Sequence, residues 1–230
     1  MKPLFILYSL LCSCLLKAQD VKEDFKVINE TFANTPAFAM DIKYELFLDG
    51  AATPYETENG RYIRQGKKYY SKQANNEVII TAEFMYVIDR DQKMLGVDRK
   101  IDEKKIQDPL TVNLDSLYIL YSKIEAITVN APGLKAYRFY VKEGPYSICE
   151  VYFDIGTHFV TEIKNVFREK ISDGNDKLRS AVLRTTFFNV NTHPGQILQV
   201  FNDKNYIKKI NKTYMPADSY KTYKFINHLN

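Results

Sequence analysis

The sequence has no tryptophan and three cysteines, two of which, Cys12 and Cys14, fall within the first fourteen residues. Beyond them Cys149 stands alone, so no internal disulfide can staple the chain and the core has to hold it. Glycine (9) and proline (8) are scarce among 230 residues, which excludes a collagenous, linker-rich or low-complexity chain. The three histidines, His158, His193 and His228, are widely separated and sit in no His-Glu-x-x-His setting; no Cys-x-x-Cys pair accompanies them. No Gly-x-Ser-x-Gly elbow or glycine-rich phosphate loop occurs. Asp89 and Asp91 share a turn, but no glycine or third ligand follows at calcium-loop spacing, so they read as turn residues. These absences predict a protein that is not an enzyme and uses no cofactor or metal.

A long apolar run is also missing. The longest, Leu4 to Leu16, is about 13 residues, short of the roughly 20 that a spanning helix needs. With Lys2 before it and Lys17-Ala18-Gln19 after it, the run has the layout of a secretory signal peptide cleaved after Ala18. Residues 1–18 are then the leader, and 19–230 form a single domain with no transmembrane segment, expected in the periplasm. A second reading is a lipoprotein anchored through Cys14, since Leu11-Cys12-Ser13-Cys14 loosely resembles a lipoprotein box. Leu15 and Leu16 continue the apolar run where a polar tether would open, which favours cleavage after Ala18. The Leu-Lys-Ala-Gln-Asp ending resembles exported proteins of Bacteroidetes-type bacteria.

Charge of one sign is lacking too. Without Lys2 and Lys17, 30 basic residues face 28 acidic ones, a net of +2, and the signs are interspersed. Nothing here makes an electrostatic footprint for nucleic acid. What is abundant is tyrosine (17) and phenylalanine (14), a composition that favours strands.

Phe25, Ile28 and Phe32 recur at helical spacing, with Asp24 near the start and Asn34-Thr35-Pro36 as the stop. The period then drops to two: Ile42, Tyr44, Leu46 and Leu48 alternate with charged residues, up to the Asp49-Gly50 turn. A meander is predicted over 60–64, 68–72, 77–81, 84–88 and 93–97, with polar turns between. Leu117, Leu120, Tyr121, Ile124 and Ile127 predict a second helix from Leu114 onward. Strands resume over 137–141, 148–153, 159–167 and 181–188. Cys149, inside one of them, reads as a small buried hydrophobe. The closing stretch, with Tyr220, Tyr223, Lys221 and Lys224, reads as a last strand whose lysines face water, a partner surface being the other possibility.

Three stretches carry a family resemblance: Gly60-Arg-Tyr-Ile-Arg-Gln-Gly-Lys-Lys-Tyr-Tyr70 leading to Phe84-Met-Tyr-Val-Ile88, Val151-Tyr-Phe-Asp-Ile-Gly-Thr-His-Phe-Val-Thr-Glu-Ile163, and Leu183-Arg-Thr-Thr-Phe-Phe-Asn-Val-Asn191. In them the chain resembles the LolA/LolB-type periplasmic lipoprotein carriers and their wider superfamily, which includes RseB-type regulators. The likeness covers roughly Val21 to Asn191. It implies an α+β fold: a strongly curved antiparallel sheet, an unclosed barrel, with helices on its concave face.

That fold implies a ligand site, because an open curved sheet cannot fill its own interior. The more apolar strand faces supply Tyr44, Leu46, Tyr86, Ile88, Tyr137, Phe139, Val151, Phe153 and Phe187 as ligand-binding candidates, and the helices add Phe32 and Leu117. The expected occupant is a lipid or a lipoprotein acyl chain. The alternative is a filled core on a non-enzymatic interaction or regulatory module with an envelope protein partner. Arg138 and Arg184 lie on strands without matching the arginine that gates the family's helices.

Overall fold

A computed structural model describes residues 21–99, 117–211 and 213–229. The predicted cleavage site after Ala18 and the alternative anchor at Cys14 lie outside them. The chain forms two compact units, each assembled from separate segments. The first takes the chain up to Asn34, Glu45–Glu56 and Leu110–Thr186; the second takes Thr35–Tyr44, Thr57–Pro109 and Phe187–Asn230.

In the first unit, helix α1 spans 21–34. Its stripe of Phe25, Ile28 and Phe32 is almost wholly buried, as the spacing predicts, and it stops two residues short of Pro36. The sheet of this unit runs in the order β1, β13, β10, β9, β8, β7. These strands are β1 (Ala37–Leu48), β7 (Tyr121–Ile127), β8 (Leu134–Val141), β9 (Tyr146–Asp154), β10 (Val160–Phe167) and β13 (Ala181–Asn191), with a short separate ribbon of β11 (Ile171–Ser172) and β12 (Leu178–Arg179) between the last two. The β8–β9, β9–β10 and β10–β13 pairs are antiparallel, and among the described residues β7 ends the run with β8 as its one neighbour.

The second unit takes the first part of β1 and the last part of β13. It continues from β1 through β2 (Glu56–Gln65), β3 (Lys68–Gln73), β4 (Asn76–Ile80), β5 (Phe84–Asp89) and β6 (Met94–Arg99). These are the predicted meander strands, joined by the predicted turns. Gln65 and Lys68 flank a tight turn in which Gly66 has a φ of 55°, a conformation glycine adopts without strain. Beyond β13 the tail makes two 3-10 turns, Gly195–Phe201 and Asp203–Asn205, and a small hairpin of β14 (Ile207–Ile210) and β15 (Thr213–Pro216). A third turn, Asp218–Tyr220, leads to β16 (Lys224–Asn227), which pairs in parallel with β6.

Among the described residues, α-helix is confined to α1 and the single turn α2 (Leu117–Leu120), so the α+β class holds with sheet strongly dominant. The predicted second helix is corrected from Tyr121 onward, where the chain is strand β7. A register shift between Tyr121 and Lys123 inserts an extra residue. Tyr121 and Ile124, three apart, therefore both meet Phe139: Ile124 lies opposite it, and the Tyr121 ring is 4.9 Å away. A bulge thus reproduces the spacing of a helix face. A second departure is in β1. The apolar alternation holds through Phe38, Met40 and Ile42, but the next buried side chain is Glu45, not Tyr44 or Leu46. Arg184 makes this possible by donating from Nε to Glu45 Oε2 at 3.0 Å.

Candidate functional site

Two apolar faces carry most of the predicted ligand residues, one in each unit. In the first unit, β8 and β9 place Tyr137, Phe139, Val151 and Phe153 on one side, because side chains alternate along each strand and Tyr137 lies opposite Val151. All four are buried. Phe25 of α1 lies 6.0, 5.5 and 6.4 Å from the rings of Tyr137, Phe139 and Phe153. Phe32 meets Phe159 edge to face at 5.1 Å. The helix is fastened to this face by Asp24, whose Oδ2 accepts from the Tyr137 hydroxyl and the Lys135 ammonium, both at 2.5 Å. Burial first, and the Asp24 carboxylate second, push the Tyr137 phenol up to about 12, so it remains a donor.

In the second unit, β5 places Tyr86 and Ile88 in a cluster with Ile79, Leu95 and Val97, and the tail covers that cluster with Phe201, Tyr206, Ile207 and Tyr220. The Tyr86 and Tyr206 rings lie 4.6 Å apart, and the Tyr86 hydroxyl donates to Asp203 at 2.9 Å. The opposite side of the same strands is more open. Val87 stands directly across from Val78, and each is 39% exposed.

The remaining candidates are scattered. Tyr44 and Leu46 are half-buried on β1, in different units. Phe187 is buried in the second unit. Leu117 lies in α2, and its side chain falls outside the described residues. Phe32, Tyr137, Phe139, Val151 and Phe153 are thus gathered around α1, whereas Tyr86 and Ile88 belong to the separate cluster under the tail.

Sequence reading missed a polar group in the second unit. Glu77 of β4 is 5% exposed, and its Oε1 accepts from Arg90 Nε at 2.5 Å. Burial, together with the charge of Glu77 and a hydrogen bond to it, raises the Tyr70 phenol far above its usual range. Tyr70, Tyr206 and Tyr220 frame an open cleft of about 610 Å³ whose rim carries Asn205 and Ser219. Its parts lie up to 150 residues apart, from Tyr70 to Tyr220, and only the unusual placement of Glu77 in an apolar strand hinted at it.

The other polar candidates have local roles. Asp89 accepts from the Gln92 amide and Asp91 from the Asn75 side chain, both at 2.8 Å, which is turn chemistry. Arg138 is paired with Glu150 and Arg184 with Glu45. Among the described residues no group of three or more His, Cys, Asp or Glu side chains could hold a metal ion.

No family model matches the sequence, and no curated protein matches it. Among solved structures, a DUF1329 family protein from Desulfovibrio piger is similar at 11% identity, over 81% of this chain and 97% of that one, with a TM-score of 0.40. A putative outer membrane lipoprotein-sorting protein domain from Vibrio parahaemolyticus is 9% identical over 79% of this chain and 96% of that one, with a TM-score of 0.36. The complex of MucA and MucB from Pseudomonas aeruginosa contains a chain 7% identical over 75% of this chain and 56% of that one, with a TM-score of 0.43.

Proposed function

We propose that the chain is a non-catalytic binding protein of the bacterial envelope. Exported by its leader and released after Ala18, it takes a lipoprotein acyl chain or another apolar ligand against the aromatic face of β8 and β9. The resemblance of its strand and turn stretches to LolA/LolB-type carriers supports this reading. The observation that carries it is Phe25, a single ring on α1 that occupies the space among Tyr137, Phe139 and Phe153. An acyl chain entering there displaces that ring, exchanging one apolar contact for another.

Native mass spectrometry with lipid extraction on Gln19–Asn230 from an envelope-derived expression tests the reading. The expected result is acyl or phospholipid adducts and uptake of an apolar dye. Phe25→Ala, which enlarges the site without burying a charge, should take up more dye than the parent. A clean apo mass and no dye uptake by either protein would overturn the carrier reading.

A second reading, an interaction or regulatory module acting through an envelope protein partner, is favoured by the tail. In the second unit the apolar face holding Tyr86 and Ile88 is covered by the chain itself. This reading predicts no lipid and a stable complex with another envelope component, seen by cross-linking from intact cells.

A further inference from the structure

We propose that the cleft of the second unit framed by Tyr70, Glu77, Arg90 and the tail is a saccharide-binding site. The inference does not depend on an acyl-chain ligand in the first unit. Its volume of about 610 Å³ falls within the roughly 300–1,000 Å³ of small-molecule sites.

The lining selects the ligand by elimination. Its carboxylates each carry a cation, Glu77 with Arg90 at 2.5 Å and Asp218 with Lys208 at 2.7 Å. Of the lining residues only Lys204 adds a further charge, and it sits on the exposed rim. A phosphate or a cation therefore finds no concentrated field to bind it. The aliphatic side chains of the lining are Val200 and Ala217, too little apolar surface for an acyl chain. A peptide backbone finds no strand to extend, because β3, β4 and β5 are each paired on both sides.

What the cleft offers is a varied set of hydrogen-bonding groups around aromatic rings. Arg90 spends its Nε on Glu77 while its side chain stays 44% exposed, a fork of donors whose charge is already balanced. The Tyr220 phenol lies near enough to that guanidinium for its charge to offset part of the rise that burial causes in the phenol's pKa. On the rim, Asn205 donates from Nδ2 to the Gln199 carbonyl, which leaves its Oδ1 to accept, and the Ser219 hydroxyl lies beside it. An uncharged, hydroxyl-rich ring matches a lining that offers both donors and acceptors among the rings of Tyr70, Tyr206 and Tyr220.

The test is titration of the full chain with chitotriose and maltotriose, read by calorimetry, and pelleting with purified peptidoglycan sacculi. Ser219→Tyr and Asn205→Trp fill the mouth from exposed positions and leave the core intact, with circular dichroism as the check. Saturable binding of an oligosaccharide, weakened by at least about tenfold (1.4 kcal/mol) in these variants, is the expected result. Co-pelleting with sacculi but no binding of the trisaccharides, again lost in both variants, assigns the same chemistry to a polymeric glycan. No binding to any of the three, binding unchanged by the variants, or laurate binding that the variants abolish would overturn the proposal. Loss of dye uptake alone bears only on the first unit.

Discussion

Phe25 of α1 and Phe139 of β8 meet edge to face, centroids 5.5 Å apart and planes at 76°, the geometry that aligns the positive edge of one ring with the negative face of the other. This pair joins the helix to the sheet of the first unit. Phe25→Ala removes it together with contacts to Tyr137 and Phe153, and should cost about 3–5 kcal/mol by urea denaturation. Lys26→Ala, one position along and in a surface pair with Glu23, should stay within about 0.5 kcal/mol. Equal effects from the two would show that α1 is not packed on this face.

The pair of Glu77 and Arg90 is asymmetric, one partner buried and the other 44% exposed on its side chain. Glu77→Ala leaves the guanidinium beside an apolar gap and should destabilise by about 1–3 kcal/mol, less than a fully buried pair would lose because water screens Arg90. Glu77→Leu combined with Arg90→Leu should recover most of that loss, since neither charge is then left unmatched. A double variant no more stable than Glu77→Ala would mean that the pair itself, and not its imbalance, holds the tail.

Much of this architecture was readable in the residues. The stripe of Phe25, Ile28 and Phe32 and the two-residue period of the meander report burial on one face, and burial is what sequence periodicity records. The gathering of Tyr137, Phe139 and Phe153 was readable for the same reason. The strand β7 was not, because its bulge gives Tyr121 and Ile124 the spacing of a helix face. Nor was the buried Glu45, which depends on Arg184, 139 residues away. The tail over Tyr86 and Ile88 was invisible as a cover, since its Phe201, Tyr206 and Tyr220 follow no single period. Long-range pairing leaves no local mark, and the polar cleft is built from such pairings.

Cys149 lies in β9 between Ile148 and Glu150. Burial, reinforced by the neighbouring Glu150 carboxylate, pushes its thiol up to about 12. The nucleophilic thiolate is then scarce at pH 8, where a free cysteine near 8.5 would be about a quarter ionised. Reaction with an aromatic disulfide reagent at pH 8 should therefore be slower by about 100-fold or more in the folded protein than in urea. Cys149 is half-buried, short of the full burial its strand pattern predicts, and a native rate close to the unfolded one would mean an accessible, ionised thiol in place of this partly covered one.

Asp49 and Asp173 converge on Arg179: its Nη1 donates to Asp49 at 2.7 Å and its Nε to Asp173 at 3.2 Å. The Arg179 hydrogen bond chiefly, with the Ser180 amide, holds the Asp49 carboxyl below its ordinary range. For Asp173 the Asn175 amide acts first, and Arg179 and the Lys177 amide add to it. Both pKa values are lower folded than unfolded, so both groups contribute stability that is complete above the unfolded value of about 3.9 and disappears as pH falls through the folded values. Urea midpoints measured from pH 7 to pH 2.5 should hold level in the neutral range and drop below about pH 4. Asp173→Asn should lower the midpoint at pH 7 and flatten the acid limb, because the variant has one carboxylate fewer to protonate. Curves for parent and variant that run parallel throughout would show that Arg179 gains nothing from this carboxylate in the folded state.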